Sequence, residues 1–204
     1  MKTASAGLIP AAIGFRAHSG WAALVAVAGT ALEPILVDRR RVELADATLT
    51  GSKQPYHTAS EMEWNQAGPF IDRCIRRTNS LALSAIKTAA ADLEKKGYRI
   101  KGCGVLLGSS KTLPDLAGIL ASHPLLHTAE GQMFRAALAL AAGECSLTLA
   151  TAPEREIRAT AQTRLGLSVQ QLESTIARVG KAAGSPWRED QKFAMLAAML
   201  ALAT

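Results

Sequence analysis

Four histidines, His18, His57, His123 and His127, fall in turns or at predicted helix starts instead of inside apolar runs. Imidazoles so placed are free to bind metal or to move protons. On a helix His127 and Glu130, three residues apart, share a face, and His123 precedes His127 by four. Two imidazoles and a carboxylate can thus converge on one divalent metal, and His123, His127 and Glu130 form the candidate metal set. Pro124 is expected to break the helix between the two histidines, and Glu130 has a simpler use as a negative charge near a helix N-terminus. Without metal, His127 or His57 is a candidate general base toward Ser109 or Ser110, although no nucleophile-elbow motif accompanies them.

A second chemistry is anion binding. Gly108-Ser109-Ser110-Lys111 follows a predicted strand and precedes a helix, so free backbone N–H groups, hydroxyls and one ammonium can meet a phosphate there. The segment lacks the spacing of a Walker loop, and a tight strand-to-helix turn selects Gly and Ser for conformational reasons alone. Arg16, Arg39, Arg40 and Arg135 are candidates for bidentate recognition of a carboxylate or phosphate, with a solvated basic face as the plainer account of Arg40. Arg73, Arg76 and Arg77 lie near one helix face, where they keep it in water or contact RNA. Tyr56 and Trp21 can each stack a base or anchor a loop.

The elements that must hold these groups follow from periodicity. Ala11 to Ala17 and Trp21 to Ala28 are strand-like around the turn His18-Ser19-Gly20, and a third strand runs from Ile35 to Leu44. In that strand Ile35, Val37, Val42 and Leu44 are expected inward, and Arg39-Arg40-Arg41 demands a bulge or a sheet edge. Asp46 to Ser60 reads as a long exposed connection. Apolar spacing predicts a helix over Pro69 to Lys96 and a buried parallel strand over Tyr98 to Leu107. A short helix from Pro114, a helix over Leu125 to Ala142, a strand over Ser146 to Thr151 and three helices over Pro153 to Leu165, Ser168 to Val179 and Pro186 to Leu202 follow.

Composition bounds the rest. The chain has 204 residues, 49% apolar and only 4% aromatic, so one α/β domain over residues 1–204 is expected, its helical part from 153 to 204 packed on the sheet by aliphatic side chains. The formal charge of +6 is compatible with RNA or a phosphate-bearing small molecule as partner. Cys74, Cys103 and Cys145 are far apart and flanked by apolar residues, which argues against a zinc knuckle or a disulfide framework. Ala4 to Phe15 imitates a signal peptide, but Arg16 and His18 end the run without a cleavage site, and Phe193 to Ala203 is too short to span a bilayer. A cytoplasmic protein follows; neither the oligomeric state nor whether it is an enzyme is written in any motif.

The order β-β-β-α-β-α-β-α resembles the ribonuclease-H-like fold, a mixed five-stranded sheet flanked by helices, here with extra C-terminal helices. Ile13 to Trp21 is similar to the first hairpin of that superfamily, and Asp190 to Ala198 to its alanine-rich last helix. The resemblance implies acidic residues from the first strand, first helix, fourth strand and last helix around divalent metals. This chain departs from it: Arg16 and His18 stand in the first strand, Gly108 to Ser110 end the fourth, and Lys192 follows Glu189 and Asp190. The scaffold also occurs in non-catalytic RNA-facing domains, so fold does not set function. The segment containing His123, His127, Thr128, Ala129, Glu130, Gly131, Phe134 and Arg135 further resembles a bacterial family with no assigned activity.

In this topology the first, third and fourth strands end on the same side, where open α/β sheets bind ligands. The expected crevice there gathers Arg16, His18, Tyr56, His57, Ser109, Ser110, Lys111, His123, His127, Glu130 and Arg135. It is an anion or divalent-metal site for a phosphate-containing substrate, with a non-catalytic RNA or protein-interaction module as the alternative.

Overall fold

The computed structural model describes residues 7–108 and 112–204. The strands β1 (Ile9–His18), β2 (Trp21–Gly29) and β3 (Pro34–Glu43) form an antiparallel meander. After it come α1 (Pro55–Ser60), α2 (Trp64–Lys95), β4 (Tyr98–Leu107), α3 (Leu116–Leu120), α4 (His123–Glu144) and β5 (Thr148–Pro153). A single 3-10 turn, Glu154–Glu156, leads into α5 (Ile157–Leu165), α6 (Val169–Ala183) and α7 (Glu189–Leu202). The sheet order is β3-β2-β1-β4-β5, with β4 parallel to both β1 and β5. This is the mixed five-stranded sheet expected from the sequence.

Strand alternation sends Ile13, Phe15, Ala22, Leu24, Cys103 and Val105 to a core under α2 and α4. Ala12, Ala23, Val25, Val27 and Leu106 go to a second core under α5, α6 and α7. Helix α7 lies directly on the strand backbones. A Cβ built on Gly14 would stand 2.0 Å from the Ala194 carbonyl oxygen, and on Gly104 2.1 Å from that of Ala197. Glycine in the strands and alanine in the helix permit this approach, which fixes where the N-terminus of α7 meets the sheet.

Several expectations are corrected. His18 is the last residue of β1 and not part of the turn. The long connection after β3 contains α1, and α2 begins at Trp64 with Pro69 inside it. Pro124 does not break a helix: it sits in the first turn of α4, where no backbone N–H is required, so both His123 and His127 belong to one helix. β5 starts at Thr148, because Ser146 takes a left-handed φ of 55°. β3 is an edge strand whose pairing skips Val37 between Ala26↔Asp38 and Val27↔Leu36. Val42 and Leu44 are buried as expected, but Ile35, at the outer end of this edge, is 58% exposed.

Candidate functional site

Helix α4 sets the site along one face. His123, His127, Gly131 and Arg135 recur every four residues, forming a row roughly 18 Å long at ~1.5 Å per residue. At its N-terminal end the row meets α1. Pro55 supplies the fixed φ of a helix start, Pro55 and Ala59 are buried, and His57 is carried toward α4. The rings of His57 and His123 are 5.2 Å apart, those of His57 and His127 4.5 Å, and those of His123 and His127 4.7 Å. One ligating nitrogen from each ring lies within 4.8 Å of the others.

Glu130 is placed behind this trio. It is 1% exposed, and its Oε1 accepts from His57 Nδ1 at 2.8 Å and from the His57 backbone N–H at 3.2 Å. Its Oε2 is buried with no hydrogen-bond partner among the described residues, and so is His57 Nε2. With Nδ1 donating to the carboxylate, the neutral His57 ring carries its lone pair on Nε2, the tautomer a metal requires. The geometry therefore gathers His57 with His123 and His127, and Glu130, expected as a ligand, orients one of them. Tyr56, beside His57, is half-buried; burial first, then the carboxylates of Asp72 and Glu130, pushes its phenol up from the usual value.

The row continues into a cleft of about 280 Å³ lined by Arg16, His18, His127, Gly131, Arg135 and Glu154, among others. Arg16, from the end of β1, donates through Nε to Glu154 at 3.0 Å and through Nη1 to Asp190 at 2.9 Å. Arg135 reaches Glu154 at 3.4 Å, and its Nε is buried without a partner among the described residues. His18 Nε2 meets Asp190 at 2.8 Å. Gly131 makes room for the Arg135 side chain: a Cβ there would stand 2.5 Å from Nη1, and one on Gly108 2.8 Å.

Of the expected crevice, Arg16, His18, His127 and Arg135 line the cleft, while His57, His123, Glu130 and Tyr56 lie at its α1 end. Ser109, Ser110 and Lys111 lie outside the described residues. Trp21 is flanked from both neighbouring strands, stacked on the His18 ring at 4.3 Å and covered by the Arg41 guanidinium at 4.0 Å, so its indole already has ring and cation partners within the sheet. Arg39 is also elsewhere, holding the carbonyls of Gly184, Ser185 and Pro186 in the turn before α7. Arg40 pairs with Asp38 and Asp92. Arg77 pairs with Asp46 at 3.1 Å, and Arg73 and Arg76 are exposed on α2.

Sequence reasoning missed Glu154 as a site residue and undervalued Asp190. The available signal was position, since Glu154 directly follows β5, a strand parallel to β4. For Asp190 the signal was weaker, because only the seating of α7 brings it beside Arg16. Lys192, set against Asp190 on sequence grounds, instead pairs with Glu189 at 2.9 Å.

The acidic set that the ribonuclease-H-like resemblance implies does not fit this chain. Arg16 stands at the end of β1 with its guanidinium on the Glu154 and Asp190 oxygens that a hard ion would need. The donor set that does converge is imidazole nitrogen, which suits zinc, nickel or copper and not magnesium.

No protein-family model matches the chain, and no curated protein matches it in sequence. In structure it is similar to Thermus thermophilus RuvC in complex with a Holliday junction substrate, with a TM-score of 0.51 at 10% identity over 93% of this chain and 90% of that one. Thermus thermophilus RuvC determined by itself gives a TM-score of 0.50 at 11% identity, over 93% and 92% of the two chains. The fold is thus ribonuclease-H-like, and at such identity the likeness extends to the fold alone. Among the described residues no helix is long and apolar enough to cross a membrane.

Proposed function

We propose that the chain binds a divalent metal of the zinc type through His57, His123 and His127 and hydrolyses small phosphate esters in the adjoining cleft. The observation that carries this reading is the triad of ring nitrogens within 4.8 Å backed by the buried Glu130 on His57 Nδ1. A histidine whose other nitrogen donates to a carboxylate is the recurring form of a metal ligand. Nitrogens on one tetrahedral zinc lie ~3.4 Å apart, so His123 and His127, both exposed, would close inward by rotamer adjustment. Three protein ligands leave one position open, as in catalytic rather than structural zinc sites.

Metal in that position would supply a water ionised near neutral pH and a Lewis acid for a phosphoryl oxygen. In such a hydrolysis the water oxygen would bond to phosphorus as the ester P–O bond breaks, and the leaving oxygen would take up a proton from solvent. Arg135 and Arg16, further along the cleft, supply guanidinium donors for the substrate oxygens. The three free thiols suit a reducing compartment such as the cytoplasm.

The test is calorimetric titration of metal-free protein with Zn²⁺, followed by assay of p-nitrophenyl phosphate hydrolysis, on wild type and His127→Ala. One bound zinc per chain and turnover, both lost in the variant, is the expected result; no zinc binding by the wild type would defeat the reading. A non-catalytic RNA module is the second reading, favoured by exposed Arg73 and Arg76 on α2. It predicts RNA affinity that falls steeply with salt and with Arg73→Ala or Arg76→Ala.

A further inference from the structure

We propose that the metal is what makes the cleft attractive to an anion, so that a phosphate monoester dianion binds the loaded protein and not the metal-free one. The inference rests on the three-histidine reading above. Among the described residues the charges in the cleft balance without metal: Arg16 and Arg135 stand against Glu154 and Asp190, at separations of 2.9 Å for both Arg16 pairs and 3.4 Å for the Arg135 pair. Each guanidinium is already committed to a carboxylate. A phosphate entering there meets two resident anions and must displace them from their donors, so the guanidiniums by themselves give little affinity.

A divalent ion on His57, His123 and His127 changes that balance. It brings two positive charges against the single carboxylate of Glu130, which is the only acidic group bonded to the cluster among the described residues. His127 belongs both to the triad and to the cleft wall, so the ion stands at the edge of the space the substrate enters. The row of α4 then offers the metal at one end and Arg135 at the other. Arg135 keeps a buried Nε–H without an acceptor among the described residues, and turning its guanidinium off Glu154 would present donors to a phosphate oxygen. A cleft of about 280 Å³ suits an occupant the size of one phosphorylated sugar or ring.

Because coupling between two binding sites is reciprocal, the phosphate must strengthen zinc binding by the same factor by which zinc strengthens phosphate binding. The experiment titrates phenylphosphonate, a non-hydrolysable monoester mimic, into wild-type protein with and without bound Zn²⁺. The same titration is made on zinc-loaded Arg135→Gln and on metal-free Glu154→Gln. The expected result is an affinity on the order of 10- to 100-fold higher with zinc, an equal gain in zinc affinity with phenylphosphonate present, most of the gain lost in Arg135→Gln, and measurable binding without metal in Glu154→Gln. Equal phenylphosphonate affinity with and without a demonstrably bound zinc overturns the coupling while leaving the metal site standing. Absence of zinc binding by wild type overturns both. His127→Ala with added zinc separates the site from zinc–phosphonate association in solution: a gain in that variant equal to wild type also overturns the proposal.

Discussion

His57 Nδ1 donates to Glu130 Oε1 at 2.8 Å across 73 residues of sequence, joining the short helix α1 to the middle of α4. The carboxylate is buried and has no Lys or Arg within ion-pair distance among the described residues; it is held by the ring and the backbone N–H of His57. Glu130→Gln keeps the shape and an acceptor but removes the charge. Zinc affinity is expected to fall about 10- to 100-fold, less than in His57→Ala or His127→Ala; calorimetric titration of the three variants checks the order. An unchanged affinity in Glu130→Gln would show that the carboxylate only anchors α1.

Acid sensitivity should come from carboxylates that the fold holds in the charged form. Hydrogen bonds from Thr48 hold the Asp46 carboxyl below its usual value, and the Arg40 hydrogen bond does the same for Asp92. A hydrogen bond from Lys192 does so for Glu189. Each folded-state pKa is depressed, so each group's contribution is present above the unfolded value near ~4 and is lost as pH falls through the folded value. Chemical denaturation between about pH 6 and pH 3 should show stability declining on the acid side. Asp92→Asn should flatten part of that decline, and a curve identical to wild type would refute the assignment.

Burial pushes the Cys103 thiol up to about 12 and the Cys74 thiol up to about 11. Thiolate is the reactive form, so at pH 8 both are expected to resist a thiol reagent in the native protein. Cys145, partly exposed, is the one that can react. Dithionitrobenzoate titration should therefore give a fast phase of one thiol at most, with the other two appearing only on denaturation. Three fast equivalents would contradict the buried positions of Cys74 and Cys103.

The contact of α7 with the sheet admits no side chain at Gly104, where a Cβ would stand 2.1 Å from the Ala197 carbonyl oxygen. Gly104→Val must push the helix off the strands, at a cost of about 3 kcal/mol or more. Thermal and urea unfolding measure that cost. The displacement would also move Asp190 away from Arg16 and His18, freeing the Arg16 guanidinium from one resident anion, so phenylphosphonate affinity should rise in the fraction that folds.

Local pattern alone was enough for much of the fold. Apolar runs marked the meander and β4, whose bounds Tyr98–Leu107 match the expected ones: its first half alternates, with Arg99 and Lys101 exposed around buried Ile100, and Gly102 to Leu106 are buried without a break, as on a strand covered on both faces. Glycine and proline marked most boundaries, and the side of the sheet that gathers Arg16, His18, His127 and Arg135 followed from strand direction. What the sequence left open depends on contacts between distant segments. Pro124 fits a helix start as well as a helix break, and only the position of Ser122 as N-cap decides between them. Glu130 at three residues from His127 has the spacing of a ligand, yet burial against α1 makes it the acceptor that orients His57. Glu154 is marked only by following β5 directly, and Asp190 only by its place at the start of the last helix. They enter the site because β5 runs parallel to β4 and because bare glycine backbone in β1 and β4 lets α7 settle until its first turn meets the end of β1.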